Sequence, residues 1–212
     1  MKKYTERFIE AVKKYSSIAI YIPGSPDPDA IASAYAIKLI LKYITVDADI
    51  FTEKRLSLAQ NQAFVERLKI PIQVGREINL KKYDAYIVPD YQNNWIENVS
   101  DSIPCAVHLD HHSISKSTVE ADFSLIRTDA GSTSTLVALI IKNLSISFNE
   151  EDIIIMATAL TFGIQTDTDK YNYTTDLDVE ALEFLPPPFG VIRLMIRFRS
   201  TLPLTVLSET SR

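Results

Sequence analysis

Cysteine, positive charge and long apolar runs are scarce in this sequence. The single cysteine, Cys105, cannot form an internal disulfide, and its apolar neighbours predict a buried thiol on a strand of a cytoplasmic protein. The most apolar stretch, 153–164, is shorter than the roughly 20 residues that span a membrane, so we interpret it as a core helix. Charged residues interrupt the opening segment before the apolar run of a signal peptide develops. We therefore expect neither disulfide stabilisation nor membrane association.

The balance of charge limits the class of partner. The 22 basic and 27 acidic residues give a net charge of −5. Such a chain lacks the general positive field that holds a long polyanion by release of counterions, so we do not expect extended nucleic acid as a partner. A small phosphate-containing substrate is compatible, because bound divalent cations reverse the local field even among carboxylates.

Short apolar segments alternate along the chain with segments of helical spacing. Strands are predicted at 18–22, 45–51, 85–88 and 105–109, and helices near 8–15, 29–43, 58–68, 133–144, 150–163 and 176–185. This alternation predicts an α/β fold, with a mostly parallel sheet covered by helices on both faces. A chain of 212 residues suits one domain, predicted at 1–185, followed by a tail or linker at 186–212 that begins with three prolines.

Acidic and histidine residues follow three of the predicted strands. Asp27 and Asp29 come after the first strand, Asp90 follows the strand at 85–88, and the run Asp110-His111-His112 follows the strand at 105–109. Carboxyl ends of parallel strands share one edge of a sheet, so these side chains are expected in one crevice. Each group has a simpler interpretation, because an aspartate at a helix start is an ordinary N-cap and a histidine pair can belong to a solvated loop.

Four segments, taken in order, resemble the motifs of the DHH phosphoesterase superfamily. They are GSPDPDAIASAYAI at 24–37, YIVPD at 86–90, HLDHH at 108–112 and GIQTDT at 163–168, with supporting similarity in AGSTSTL at 130–136. The superfamily includes nanoRNases, adenosine bisphosphate phosphatases and exopolyphosphatase-related proteins. The resemblance is to the N-terminal DHH domain only, because too few residues follow 188 to form the second domain of many relatives.

The resemblance implies a two-metal site, usually occupied by manganese, with Mg²⁺ or Co²⁺ as possible substitutes. By position, Asp90 would bridge the ions and Asp27 would bind the first. Asp29, His111 and Asp167 would bind the second. Carboxylates with imidazole are ligands that suit Mn²⁺.

The same resemblance implies catalytic roles for Asp90, Asp110 and His112. Asp110 would orient the histidines by hydrogen bonding, and His112 would face the substrate phosphate. The implied activity is hydrolysis of a small phosphoester or phosphoanhydride: a short oligonucleotide, a nucleotide, a cyclic dinucleotide, pyrophosphate or polyphosphate.

One position departs from the family, because Pro23 stands where a metal-binding histidine is usual. The alternative function is therefore a metal- or nucleotide-binding module without turnover, and an interaction scaffold without metal is a third. His108 is interpreted as a strand residue rather than a replacement ligand. Arg193, Arg197 and Arg199 would contact phosphate or belong to a solvated helix face, and a half-site supplied by another copy would require a homo-oligomer.

Two further features stay outside the predicted site. The hydroxyl-rich segment 132–134 would either bind an anion at a helix start or simply cap that helix. Tyr91 and Trp95 would either stack on a base or pack against the protein.

Overall fold

A computed structural model describes residues 1–75, 79–114 and 118–187. The three arginines Arg193, Arg197 and Arg199 and nearly all of the predicted tail at 186–212 lie outside the described residues. Within the described ranges, no helix is both long enough and apolar enough to cross a membrane.

The described chain alternates strands with helices. The strands are β1 (Ser17–Ile22), β2 (Asp47–Thr52), β3 (Ile72–Val74), β4 (Ala85–Pro89), β5 (Cys105–Asp110) and β6 (Ala121–Ile126). The helices are α1 (Lys2–Val12), α2 (Pro28–Tyr43), α3 (Ala59–Leu68), α4 (Thr133–Lys142), α5 (Glu150–Asp167) and α6 (Asp176–Phe184), with a single 3₁₀ turn at Leu80–Lys82. The sequence analysis did not predict β3 or β6.

The six strands form one sheet in the order β3-β2-β1-β4-β5-β6, and every described pairing is parallel. The predicted α/β class with a mostly parallel sheet is therefore confirmed. The strand order reverses direction between β1 and β4. In sheets of this kind the crevice beyond the carboxyl ends of the strands at such a switch point is where ligands bind.

Helix α2 lies at the centre of the main core. It is buried on all sides from Pro28 to Ile37, as expected of a helix that is apolar around its whole circumference. Its small residues, among them Ala32 and Ser33, allow α4 and α5 to approach closely on one side while the sheet packs on the other. This packing fixes the start of α2 directly above the carboxyl end of β1.

The opposite face of the sheet carries a smaller apolar cluster. Tyr21 and Tyr86 of the sheet meet Ile96 and Val99, which belong to the segment between β4 and β5. From β1 the chain adds β2 and β3 toward one edge of the sheet, whereas from β4 it adds β5 and β6 toward the opposite edge. Because crossovers between parallel strands are right-handed, this change of direction puts the connections from β4 to β5 and from β5 to β6 on this face of the sheet. Among the described residues these connections are loops, so loop side chains cover this face where the sequence analysis predicted helices.

Helix α5 continues beyond the position at which the sequence predicted its end. We expected Gly163 to terminate the helix, but α5 extends to Asp167. Gly163 instead allows close helix packing, because a Cβ there would lie 2.2 Å from Oγ of Ser134 and 3.2 Å from Cβ of Ala32. The extra turn carries Asp167 to the carboxyl edge of the sheet.

Candidate metal centre

Four side chains from different parts of the chain meet at the carboxyl edge of the sheet, beside the switch point. Asp29 at the start of α2, Asp90 after β4, His111 after β5 and Asp167 at the end of α5 each offer one donor atom, and these atoms lie within 4.8 Å of one another. We call these four residues the central group. They are the residues that the sequence analysis predicted to surround the second metal, with Asp90 shared between the two ions.

Asp29 is completely buried, and the N-terminus of α4 holds its carboxylate. Its two oxygens accept hydrogen bonds from the backbone N–H groups of Thr133 and Ser134, each at 2.7 Å. A helix N-terminus favours an anion, because its N–H groups are free and its dipole is positive there. The anion suggested for the segment 132–134 is therefore the protein's own carboxylate, while Ser132 caps α4 by accepting from Thr135.

Burial and charge crowding raise the pKa of the Asp29 carboxyl to about 7. Burial is the largest cause, and the nearby Asp167 carboxylate acts in the same direction. The hydrogen bond from Ser134 and the imidazole of His111 oppose the increase in pKa only in part. Cations near this group would relieve the crowding of negative charge.

Asp90 lies in a turn with an unusual backbone conformation. Its φ angle of 56° is in the left-handed region, and its N–H donates to the carbonyl of Leu109 at 2.8 Å. Its Oδ1 accepts a hydrogen bond from the Thr133 hydroxyl at 3.0 Å. Burial, followed by the neighbouring carboxylate of Asp29, raises the pKa of Asp90 well above its usual range.

His111 supplies a buried nitrogen that has no hydrogen-bond partner among the described residues. This nitrogen, Nε2, lies 3.0 Å from Oδ2 of Asp167 and 3.6 Å from Oδ1 of Asp90. Burial alone would lower the pKa of His111, but the carboxylates of Asp167 and Asp29 outweigh burial and raise it. A buried imidazole nitrogen surrounded by carboxylate oxygens fits a shared divalent cation, because all of these groups are metal donors.

Asp110 organises the two histidines. It is fully buried, and its Oδ1 accepts from the backbone N–H of His111 and lies 2.9 Å from ring atom Nδ1 of His112. Its Oδ2 has no hydrogen-bond partner among the described residues. Donor atoms of Asp90, Asp110, His111 and His112 form a second group within 4.8 Å, which shares Asp90 and His111 with the central group.

Asp27 occupies a different position from the other predicted ligands. Its Oδ1 accepts from the N–H of Ala30 at 2.9 Å, which makes it the N-cap of α2, and it belongs to neither donor group of the described residues. Burial raises the pKa of Asp27, although the Ala30 N–H opposes the increase. The carboxylate of Asp167 and the imidazole of His111 are near enough to affect that pKa. The structure thus brings the residues of the predicted second site together in one donor group, while Asp27 lies near enough to Asp90 to affect its pKa and lines the same cleft.

His108 does not join the donor groups of the described residues. It is buried on β5, where its Nε2 lies 2.7 Å from the carbonyl oxygen of Tyr91, and burial lowers its pKa. Its position agrees with its interpretation as a strand residue. The contact with Tyr91 fixes the residue that immediately follows Asp90.

Two residues that support the site were absent from the predicted set. Thr133 contacts both Asp29 and Asp90, although the sequence analysis left its segment outside the predicted site, as an anion-binding or capping element. Asp178 of α6 is buried and accepts from the Gly131 N–H at 3.0 Å and the Thr135 hydroxyl at 2.5 Å, so it holds the start of α4. The sequence signal at Asp178 indicates only the start of α6, and nothing local shows that its side chain reaches α4.

An open cleft of about 560 Å³ adjoins the donor groups. The turn after β1 forms one wall, including Pro23 and Asp27, and the segment after β4 forms the other. Asp90 and His112 lie between these walls. The side chain of His112 is 43% exposed, so it is accessible to a molecule in the cleft.

A family model and a curated relative both match this chain. The family model for the DHH family, N-terminal domain, matches residues 17–164. An uncharacterised protein of Methanocaldococcus jannaschii is 30% identical over 175 residues, which make up 82% of this chain and 35% of that protein. The chain thus spans about a third of the length of this curated relative.

Two solved structures are similar in fold. An exopolyphosphatase-related protein from Bacteroides fragilis superposes with a TM-score of 0.64 at 16% identity, over 95% of this chain and 62% of that one. Exonuclease RecJ bound to manganese gives a TM-score of 0.47 at 14% identity, over 86% of this chain and 46% of that one. The first likeness shows a shared fold, and the second is too weak to carry an argument.

Proposed function

The chain belongs to the DHH family, and from this membership we propose that it is a metal-dependent phosphoesterase acting on a small phosphoester or phosphoanhydride. The observation that carries this proposal is the central group, in which three carboxylates and one imidazole converge within 4.8 Å. Such convergence is costly for a folded protein without a cation, because carboxylates crowded together with little water repel one another. Candidate substrates are short oligonucleotides, nucleotides, cyclic dinucleotides, pyrophosphate and polyphosphate.

We propose manganese as the metal, with Mg²⁺ or Co²⁺ as substitutes. Asp29, Asp90, His111 and Asp167 would hold one ion, and Asp90 would also contact a second ion together with Asp27. Divalent ions at such a centre lower the pKa of a water molecule and neutralise charge on the phosphate. Oxygen and imidazole donors without thiols suit these metals.

His112 would act on the substrate side of the centre, and Asp110 would act through His112. Asp110 lies 2.9 Å from Nδ1 of His112, so the opposite nitrogen of the ring remains available for a phosphate oxygen. A carboxylate that fixes the tautomer and orientation of a histidine is a common arrangement around metal sites. His112 would thus bind the scissile phosphate and assist proton transfer, and Asp110 would keep its ring in place.

A second candidate is a metal- or nucleotide-binding module without turnover. Two observations at the predicted first metal site favour it. Asp27 caps α2 and belongs to neither donor group, and Pro23 stands where a metal-binding histidine is usual in the family. If only one ion binds well, a ligand could be held in the cleft without efficient hydrolysis.

The test is a turnover assay with manganese and four substrate types: pyrophosphate, adenosine 3′,5′-bisphosphate, short oligonucleotides and cyclic dinucleotides. We expect hydrolysis of at least one, loss of activity in Asp90→Ala, and a fall of about 10²- to 10⁴-fold in His112→Ala. Glu180→Gln, an exposed change on α6, is the matched control. Near-normal turnover in Asp90→Ala would contradict the mechanism, and ligand binding without turnover of any substrate would favour the module.

The expected partners and location are also proposals. The net charge of −5 supports a small phosphate-containing substrate over long nucleic acid. Cys105, the single cysteine, is a free, buried thiol on β5 and cannot form an internal disulfide, which supports a reducing, cytoplasmic location. A homo-oligomer would follow if a second copy supplied part of the cleft.

A further inference from the structure

The cleft beside the donor groups has a chemical character that differs from that of a polyphosphate channel. The carboxylate and imidazole side chains that line its described walls are Asp27, Asp90 and His112, and no lysine or arginine is among the described lining residues. A chain of phosphates adds negative charge with every unit, and it needs cations along its length as well as at the scissile bond. The walls supply acidic and neutral groups instead.

The size of the cleft also exceeds what a phosphate group requires. Its volume of about 560 Å³ lies within the roughly 300 to 1,000 Å³ that is usual for sites that bury a whole organic ligand. The cleft therefore has room for a substantial group attached to the phosphate.

The neutral wall after β4 suits a flat, hydrogen-bonding molecule. Tyr91, Gln92 and Asn93 line this side, and Ser25 lines the other. Tyr91 is 41% exposed, and so is Trp95, the only tryptophan of the chain, four positions further on. Aromatic side chains stack on nucleobases, and side-chain amides pair with their donors and acceptors.

Hydrogen bonds hold this wall in a fixed conformation. The Tyr91 carbonyl lies 2.7 Å from Nε2 of His108, and the Trp95 N–H donates to the side chain of Asn93 at 2.8 Å. Buried Asn94 donates to the carbonyl of Val119 at 3.0 Å and accepts from its N–H at 2.9 Å. Tyr91, exposed on this anchored segment and lining the cleft, offers a preorganised surface, which binds a ligand at a lower entropic cost than a mobile loop.

From these observations we infer that the cleft wall at 91–93 is a nucleobase subsite, so that the substrate is a nucleotide or short oligonucleotide rather than pyrophosphate or polyphosphate. This inference rests on the proposed function for the position of the scissile phosphate. Tyr91 supplies the stacking surface, and Gln92 and Asn93 supply polar contacts to the edge of the base.

The experiment compares three ligands by titration calorimetry with manganese present: adenosine 5′-monophosphate, ribose 5-phosphate, which lacks the base, and tripolyphosphate. We expect the nucleotide to bind about 5- to 100-fold more tightly than ribose 5-phosphate, because stacking of one base contributes that much. In Tyr91→Ala the ratio of nucleotide affinity to ribose 5-phosphate affinity should fall by a similar factor. Tyr91→Phe, which keeps the aromatic ring, should retain the ratio of the unaltered protein.

Tyr4→Ala removes a comparably exposed tyrosine from α1 and should leave the preference unchanged. Equal binding of nucleotide and ribose 5-phosphate, tighter binding of tripolyphosphate, or an unchanged preference in Tyr91→Ala would each overturn the subsite. Because binding is measured apart from turnover, a Tyr91-dependent preference without hydrolysis would support the subsite and count against the phosphoesterase. Hydrolysis without a Tyr91-dependent preference for the nucleotide would support the phosphoesterase and count against the subsite.

Discussion

The hydroxyl of Thr133 donates to Asp90 across 3.0 Å, and this bond joins the start of α4 to the end of β4. The N–H of the same residue donates to Asp29 at 2.7 Å. One residue of α4 therefore fixes the positions of two carboxylates in the central group, and a change in its side chain can affect one carboxylate without the other.

Replacement of Thr133 by valine should weaken metal binding. Valine keeps the shape of the side chain and the N–H bond to Asp29 but removes the donor to Asp90. Loss of a partner that orients a metal ligand typically reduces metal affinity by about 10- to 100-fold, and we expect manganese affinity to fall within this range in calorimetry. Thr133→Ser, which retains the hydroxyl, should bind manganese nearly as well as the unaltered protein. Equal affinities in the valine and serine variants would contradict this role.

Manganese should stabilise the fold through the central group. A ligand at about 100 times its dissociation constant adds roughly 2.7 kcal/mol, and roughly 2 to 4 °C per kcal/mol is usual at this chain length. We therefore expect a rise in Tm on the order of 5 to 10 °C, reversed by a chelator. Asp90→Asn should abolish the rise, because it removes a charge from the centre while preserving side-chain shape. An equal rise in this variant would place the binding site elsewhere.

Gly163→Ala should destabilise the protein by forcing α5 away from α4. The added Cβ would lie 2.2 Å from Oγ of Ser134, and overpacking of this kind costs about 1 to 3 kcal/mol. The free energy of unfolding in urea measures the effect. Gly75→Ala is the matched control, because a Cβ there meets nothing within 4 Å. The double variant Ser134→Ala and Gly163→Ala should recover part of the lost free energy of unfolding. If Gly163→Ala alone is as stable as Gly75→Ala, the packing argument is refuted.

Asp152 should contribute to the loss of folding stability at low pH. Burial alone would raise the pKa of Asp152, but hydrogen bonds from Lys42 at 2.9 Å and Tyr43 at 2.8 Å outweigh it and lower the pKa. Because the carboxyl is more acidic in the folded state than in the unfolded state, its contribution is present above the unfolded pKa of about 4. It is lost as pH falls through the folded pKa.

Unfolding measured from neutral pH down into this acidic range should show a smaller loss of stability in Asp152→Asn than in the unaltered protein. The exposed pair of Lys142 and Glu180 provides the control, since exposed ion pairs contribute little. An identical pH dependence in Asp152→Asn and Glu180→Gln would count against this contribution.

The central strands and the position of the site could be predicted because burial on both faces leaves a clear pattern. β1, β4 and β5 have nearly continuous apolar sequences, and their ends locate Asp90 and Asp110 directly. The edge strands lack this pattern. β3 has only three residues, two of them exposed, while β6 alternates exposed Asp122 and Ser124 with buried Phe123 and Leu125.

The arrangement around the predicted ligands could not be derived from local sequence. Asp27 and Asp29 are two positions apart at the same helix start, yet one caps its own helix and the other accepts from α4. That difference depends on packing between segments more than a hundred residues apart. Gly163 is a second example. The sequence around it indicates a helix end, but its contacts in space with Ser134 and Ala32 show that it allows close packing of helices.

The left-handed backbone at Asp90 also bears on how such a protein could lose the proposed activity during evolution. At a φ of 56°, aspartate, asparagine and glycine are the residues that fit with least strain. The two alternatives to aspartate keep the turn and discard the charge. A descendant carrying either would retain this architecture without the proposed metal ligand, so preserved shape at this turn is poor grounds for assuming preserved chemistry.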